Sequence, residues 1–273
     1  MDIPGTPIVL RLGVRRFDQG GEMRGIPSGA RLRPVLALAC VSALAALSPC
    51  PAGSLPTYNV VKSIPLKSQF ATRSDWIITA YQAQSSANSD SIGDDPAKLC
   101  FSRASDKRQD CTKITSGITN DPGFTYNYQT VKRLDIVPLK PSLQAVFFHA
   151  EFSAGGSGTA DQFSLWTYDR KSDSFWPTLM FTTNESGGMK VISNGPLAGY
   201  VITADAAWQI DKGEFHFSAH HYNITVYRLS GQFYLKVLNY LTTRKYGGDD
   251  VAPDIAIACE MPRIPALLKA VGQ

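Results

Sequence analysis

Tyr200-Val201-Ile202-Thr203-Ala204-Asp205-Ala206-Ala207 opens the stretch on which the fold turns, and Tyr222-Asn223-Ile224-Thr225-Val226-Tyr227-Arg228-Leu229 leads through Ser230-Gly231 into Gln232–Leu241 to close it. β-branched and aromatic residues dominate both runs, and Tyr222–Leu229 alternates with a period of two. Ser230-Gly231 reads as a tight hairpin turn. Between the runs, Asp211-Lys212-Gly213 reads as a turn, Glu214–Phe217 as a strand and Ser218-Ala219 as a break. The sum is a four-stranded antiparallel meander the size of one propeller blade.

The same plan recurs upstream. Pro65-Leu66-Lys67 leads to Ile77-Ile78-Thr79-Ala80, Pro138-Leu139-Lys140 to Val146-Phe147-Phe148-His149-Ala150, and Pro196-Leu197-Ala198 to Val201-Ile202-Thr203-Ala204. Each copy reaches a second β-rich stretch: Leu99–Arg103, Leu165–Asp169 and Ile224–Arg228. Repetition of this kind signals stacked copies of one supersecondary unit. The expected class is all-β, built from repeated antiparallel meanders in a small β-propeller-like arrangement; a β-sandwich or barrel of three repeated hairpin units is the alternative. Pro253–Ala258 reads as part of a fourth unit, and Tyr58–Val61 as a strand completing a blade with C-terminal residues. Pro265–Ala270 reads as a short C-terminal helix, with proline near its first turn.

The formal net charge of the 273 residues is +4, but residues 1–52 hold six of the 27 Lys and Arg and three of the 23 Asp and Glu. The rest is close to neutral, which argues against a nucleic-acid partner. Arg31 and Arg33 precede an apolar run from Val35 to Leu47, too short to span a bilayer as a helix and suited to the core of a secretory signal peptide. The expected organisation is an unstructured or non-native extension at 1–22, a signal peptide at 23–52 starting from Met23 and cleaved after Ala52, and a single all-β repeat domain at 53–273. Arg15-Arg16 lies too far upstream for a twin-arginine signal, and Pro49 before Cys50 departs from a lipoprotein box. The expected location is periplasmic or secreted, with no mature transmembrane segment. An exported compartment permits disulfides, so Cys100 and Cys111, flanking one predicted hairpin, are expected to pair. Cys259 is expected to be a buried thiol.

Positions shared among copies, such as Ala80, Ala150 and Ala204, or Tyr168 and Tyr227, are expected to serve packing. The connectors after each shared strand differ completely, and on a propeller they converge on one rim, where loops carry function. They hold Asp94 and Asp95 in the first copy, Asp161 in the second, and Asp211, Glu214, His216, His220 and His221 in the third. Asp94, Asp95, Asp161 and Asp211 are candidate ligand-binding residues. Glu214, His216, His220 and His221 are candidate ligands of a divalent metal, imidazole suiting Zn, Cu, Fe or Ni, although their spacing matches no standard zinc motif. Gly155-Gly156-Ser157-Gly158 lacks a full nucleophile-elbow pattern, and Asn88–Gly93 lacks the ligands of an EF-hand. Trp166, Trp176, Tyr168 and Tyr234 recur at matched positions and read as hairpin core rather than as a carbohydrate-stacking platform.

The run from Glu214 to Arg228 resembles a segment of uncharacterised exported bacterial proteins with β-propeller-like repeats, the likeness extending over Pro138–Pro262. It implies an envelope location and no assigned chemistry. The expected function is an exported envelope protein that binds a ligand or protein through connector loops at one rim. The alternative is a metal-dependent hydrolase of the envelope or secreted space.

Overall fold

A computed structural model describes residues 57–84, 95–116, 126–153, 159–183, 187–207, 218–247 and 251–273. The fold is all-β, with three four-stranded antiparallel sheets following one another along the chain. The first contains β1 (Tyr58–Pro65), β2 (Trp76–Ala83), β3 (Lys98–Arg103) and β4 (Arg108–Lys113), with a four-residue helix α1 (Lys67–Phe70) between β1 and β2. A two-stranded ladder of β5 (Thr115–Ser116) and β6 (Tyr126–Asn127) follows. The second sheet contains β7 (Thr130–Lys140), β8 (Leu143–Ser153), β9 (Thr159–Asp169) and β10 (Ser174–Thr182). The third contains β11 (Gly187–Val191), β12 (Tyr200–Ala207), β13 (His221–Ser230) and β14 (Phe233–Leu241). In each sheet the strands are ordered as in the chain, so every unit is a simple meander.

The repeated phrase is a packing code. Leu66 and Leu139 are fully buried and Leu197 nearly so, while Ala80, Ala150 and Ala204 have no exposed surface. Three apolar layers result. Trp76, Ile78, Leu99 and Phe101 of the first sheet meet Leu134, Val146, Phe148 and Trp166 of the second. The other face of the second sheet sets Ala145, Phe147, Phe163 and Leu165 against Met189, Val201 and Tyr234 of the third. Covered on both faces, β9 is almost continuously buried, as expected of a strand inside a stack. Each large apolar side chain buried this way contributes about 1.5–3 kcal/mol.

The remaining face of the third sheet is covered by helices α2 (Ala252–Glu260) and α3 (Ile264–Ala270). This corrects two expectations. Pro253–Ala258 is helix, not the strand of a fourth unit, and β1 completes its own sheet by pairing with β2 rather than joining the C-terminal residues. Ile255-Ala256-Ile257-Ala258 alternates like a strand, but the buried positions are Ala252, Pro253, Ala256, Ile257 and Glu260, a helical spacing. Cys259 faces away from this stripe and is exposed, not buried. The outer strand of the third meander is β11, while Glu214–Phe217 lies outside the described residues. The expected signal peptide at 23–52, the extension at 1–22 and the Gly155–Gly158 segment also lie outside them. Among the described residues no helix is long and apolar enough to cross a membrane.

Cys100 and Cys111 face each other across β3 and β4 and form a disulfide. The chain between them closes a small loop, so replacing both with alanine is expected to cost about 3 kcal/mol of stability. Urea denaturation of the double variant beside the oxidised parent measures it; equal midpoints would show that the bond constrains nothing.

Candidate connector-end site

The three sheets stack face to face. Ala80 and Ala97, beside the connector of the first sheet, share a cluster with Ala150 and Ala160 beside that of the second. At the opposite, hairpin end, Phe101 stacks on Phe175 at 4.8 Å and Trp76 meets Phe175 edge-on at 6.1 Å. The third sheet is held in the same sense: Gly187 N, at the start of β11, donates to Asp161 Oδ2 at 3.2 Å. The strands flanking 85–94, 154–158 and 208–217 therefore all finish at one end.

At that end the second sheet presents a histidine–aspartate pair. His149 on β8 and Asp161 on β9 lie on the same face, two register positions apart. His149 Nε2 stands 2.6 Å from Asp161 Oδ1. A carboxylate oxygen accepts, so the contact is a hydrogen bond from His149 Nε2 to Asp161. The ring lies stacked against Phe163 at 4.2 Å, which fixes its plane. Asp161 is clamped in turn: its backbone N–H donates to Thr183 Oγ1 at 2.9 Å, and the Thr183 N–H donates to the Asp161 carbonyl at 2.9 Å. A Cβ on Gly187 would come within 2.1 Å of Thr183 Cγ2, so this close approach requires glycine. The His149 side chain keeps 19% of its surface exposed and that of Asp161 10%. An imidazole so held can hydrogen-bond a polar ligand without first paying to be oriented.

The other candidates are dispersed. Asp95 stands at the connector end of the first sheet; the Tyr58 phenol is shifted upward chiefly by burial and then by Asp95, and Lys98 Nζ lies over the Tyr58 ring at 3.4 Å. His220 is buried, its Nδ1 2.8 Å from the Ser218 carbonyl and its ring against Tyr222 at 4.9 Å. His221 is half-buried, its Nδ1 2.7 Å from the Thr242 carbonyl. Successive residues of extended chain face opposite sides, so the structure does not bring these two imidazoles together. Asp94, Asp211, Glu214 and His216 lie outside the described residues. Among the described residues no group of three or more His, Cys, Asp or Glu side chains is placed to hold a metal ion.

His149 escaped the sequence reading because it sits inside the repeated strand rather than in a connector. Its signal was nonetheless there: the equivalent positions are Thr79 and Thr203, and only the second copy places an imidazole at that point. Comparison with known proteins gives no match to a family model, a curated protein or a solved structure.

Proposed function

We propose that this chain is an exported binding module that engages a polar ligand or protein of the bacterial envelope at its connector end. The observation that carries the reading is the oriented His149–Asp161 pair at the end where the flanking strands of three dissimilar connectors finish. The repeat core supplies a stacked scaffold, and sequence differences between copies concentrate where that scaffold ends, the usual division between support and recognition. The disulfide and the signal-peptide-like leader support export.

The test is retention of the full chain on isolated envelope fractions. His149→Gln and Asp161→Asn are expected to reduce retention about tenfold or more, the effect of losing one oriented charge-assisted hydrogen bond. Lys107→Gly, at an exposed left-handed turn position of the opposite end, serves as the control and is expected to bind like the parent. Equal retention by all three variants would end the connector-end reading.

A further inference from the structure

The repeated Pro-Leu phrase is reached differently in the third copy. In the first two copies the residues before it lie in paired strand: Ile64 of β1 opposite Ile78, and Val137 of β7 opposite Ala145. In the third copy β11 ends at Val191, and Ser193-Asn194-Gly195 leads into a single 3-10 turn, Gly195–Leu197, before β12 begins. Leu197 still anchors the phrase in the core, but Asn194, Gly195 and Pro196 are exposed. This is the one Asn-Gly pair in the sequence, and it lies at the surface, outside any ladder.

The Asn194 side chain makes no hydrogen bond to the turn it precedes. The backbone around it is tied on either side. Ile192 N–H donates to Tyr200 O at 2.9 Å, Gly199 N–H to Ile192 O at 2.7 Å and Ala198 N–H to Gly195 O at 3.1 Å. Among the described residues the peptide between Asn194 and Gly195 takes part in none of these bonds, through neither the Asn194 carbonyl nor the Gly195 N–H. Gly195 holds φ 72°, and a Cβ placed on it would meet nothing within 4 Å. Asn194 is extended, φ −143° and ψ 173°, so its ψ must turn before the Gly195 nitrogen can face the Asn194 side-chain carbonyl. No backbone hydrogen bond of that peptide resists the turn, the space around Gly195 is open, and glycine follows the motion with little strain.

We infer that Asn194 is a site of spontaneous deamidation. The Gly195 amide nitrogen, its proton passing to water, attacks the carbonyl carbon of the Asn194 side chain. A new C–N bond forms, the bond to the side-chain amino group breaks, and ammonia leaves behind a five-membered imide. Water then opens that ring at one carbonyl or the other and yields isoaspartate or aspartate. The product carries a new negative charge, and in isoaspartate the main chain between β11 and β12 is one carbon longer. The bonds joining Ile192 to Gly199 and Tyr200 close the turn behind the change, so Leu197 keeps its place in the core. Asn223 offers no such site, because it lies within β13, paired with Asp205 on one side and Leu241 on the other. The inference concerns the turn between β11 and β12 and does not depend on the His149–Asp161 pair.

Peptide mass spectrometry of the full chain, kept folded at mildly alkaline pH and sampled over days, tests it. The tryptic peptide 191–212 is expected to gain about 1 Da in a growing fraction of molecules and to split into two chromatographic forms, aspartate and isoaspartate. The gain should quicken as the pH rises, since the attacking amide must lose its proton. Asn194→Gln should abolish it, the longer side chain closing a ring less readily, and the peptide 213–228 containing Asn223 should stay unchanged. The inference is overturned if the folded chain keeps Asn194 intact while the same chain in urea deamidates, or if the mass gain in 191–212 survives Asn194→Gln.

Discussion

Replacing Asp173 with alanine is expected to remove about 3–5 kcal/mol of stability, the usual cost of withdrawing one partner from a buried charged network. Asp173 lies in the β9–β10 turn, only 7% exposed, and receives four donors. Tyr168 Oη and Trp76 Nε1 donate to Oδ1 at 2.5 and 3.4 Å; Ser74 Oγ and Arg103 Nη1 donate to Oδ2 at 2.6 and 3.1 Å. Ser74, Trp76 and Arg103 belong to the first sheet and its α1–β2 connection, so a single carboxylate ties two sheets together. Trp76 is almost fully buried, and without Asp173 its indole N–H loses this acceptor. Asp173 also adopts a left-handed backbone, φ 49°, which aspartate and asparagine tolerate better than alanine. Asp173→Asn keeps that conformation and one acceptor oxygen and should lose less, about 1–3 kcal/mol. Urea denaturation of both variants ranks them; an alanine variant within about 0.5 kcal/mol of the parent would show the network to be ornamental.

The same carboxylate predicts an acid response. Burial alone would raise its pKa, but hydrogen bonds from Ser74, Tyr168, Trp76 and Arg103 outweigh burial and hold it well below the ordinary aspartate range. A folded-state pKa below the unfolded one stabilises the protein fully above the unfolded value, near pH 4, and the stabilisation fades as pH falls further. Asp135, bonded first by Lys62 and then by Arg133, is depressed in the same direction. Stability should therefore decline below about pH 4, and the decline should be shallower in Asp173→Asn.

The second large effect is expected at Glu260. It is 2% exposed on α2, yet accepts from Tyr246 Oη at 2.8 Å, Tyr240 Oη at 3.2 Å and Arg263 Nη1 at 2.8 Å. Tyr240 comes from β14 and Tyr246 from the segment after it, so this carboxylate fastens the helices to the third sheet. Glu260→Ala is expected to cost about 3–5 kcal/mol, because Tyr240 and Tyr246 lose their carboxylate partner inside the layer. Glu260→Gln retains an acceptor and should cost less. Hydrogen exchange separates the outcomes: protection should fall across 252–270 before it falls in β8 or β9. Uniform loss of protection in all three sheets would contradict the assignment of Glu260 to the helical layer alone. Burial, followed by the charge of Glu260, raises the Tyr240 phenol above its usual range. That contribution is complete below about pH 10 and is lost as the pH climbs beyond it, where the unfolded chain would ionise.

What could be read in advance follows the range of the interactions. Strand period and the pairing of Cys100 with Cys111 involve residues close in sequence, and both stand in the structure; the hairpin turn falls one residue later than Ser230-Gly231, at Gly231-Gln232, because Ser230 pairs with Phe233. Leu66, Leu139 and Leu197, with Ala80, Ala150 and Ala204, were legible as core because repetition multiplies the signal of each buried position. The stretch of alternating isoleucine and alanine in α2 satisfies either period, and only the face offered by the third sheet selects the helical one. At the connector end, Asp161 stands in a connector where copies differ, whereas its partner His149 lies inside the repeated strand and is masked by it.

The chain by itself determined three repeated antiparallel meanders, their buried leucines and alanines, and the disulfide, because each rests on short-range pattern and local backbone preference. Tertiary structure alone decided the helical cover of the third sheet, the His149–Asp161 clamp and the inter-sheet tie at Asp173. It also decided the 49% exposure of Trp176, expected as hairpin core but placed on the edge strand β10. Ser74 and Asp173, 99 positions apart, meet at 2.6 Å only after two sheets have stacked. Such a bond leaves no periodic trace in sequence, since its free energy depends on how distant faces pack and not on what precedes or follows either residue.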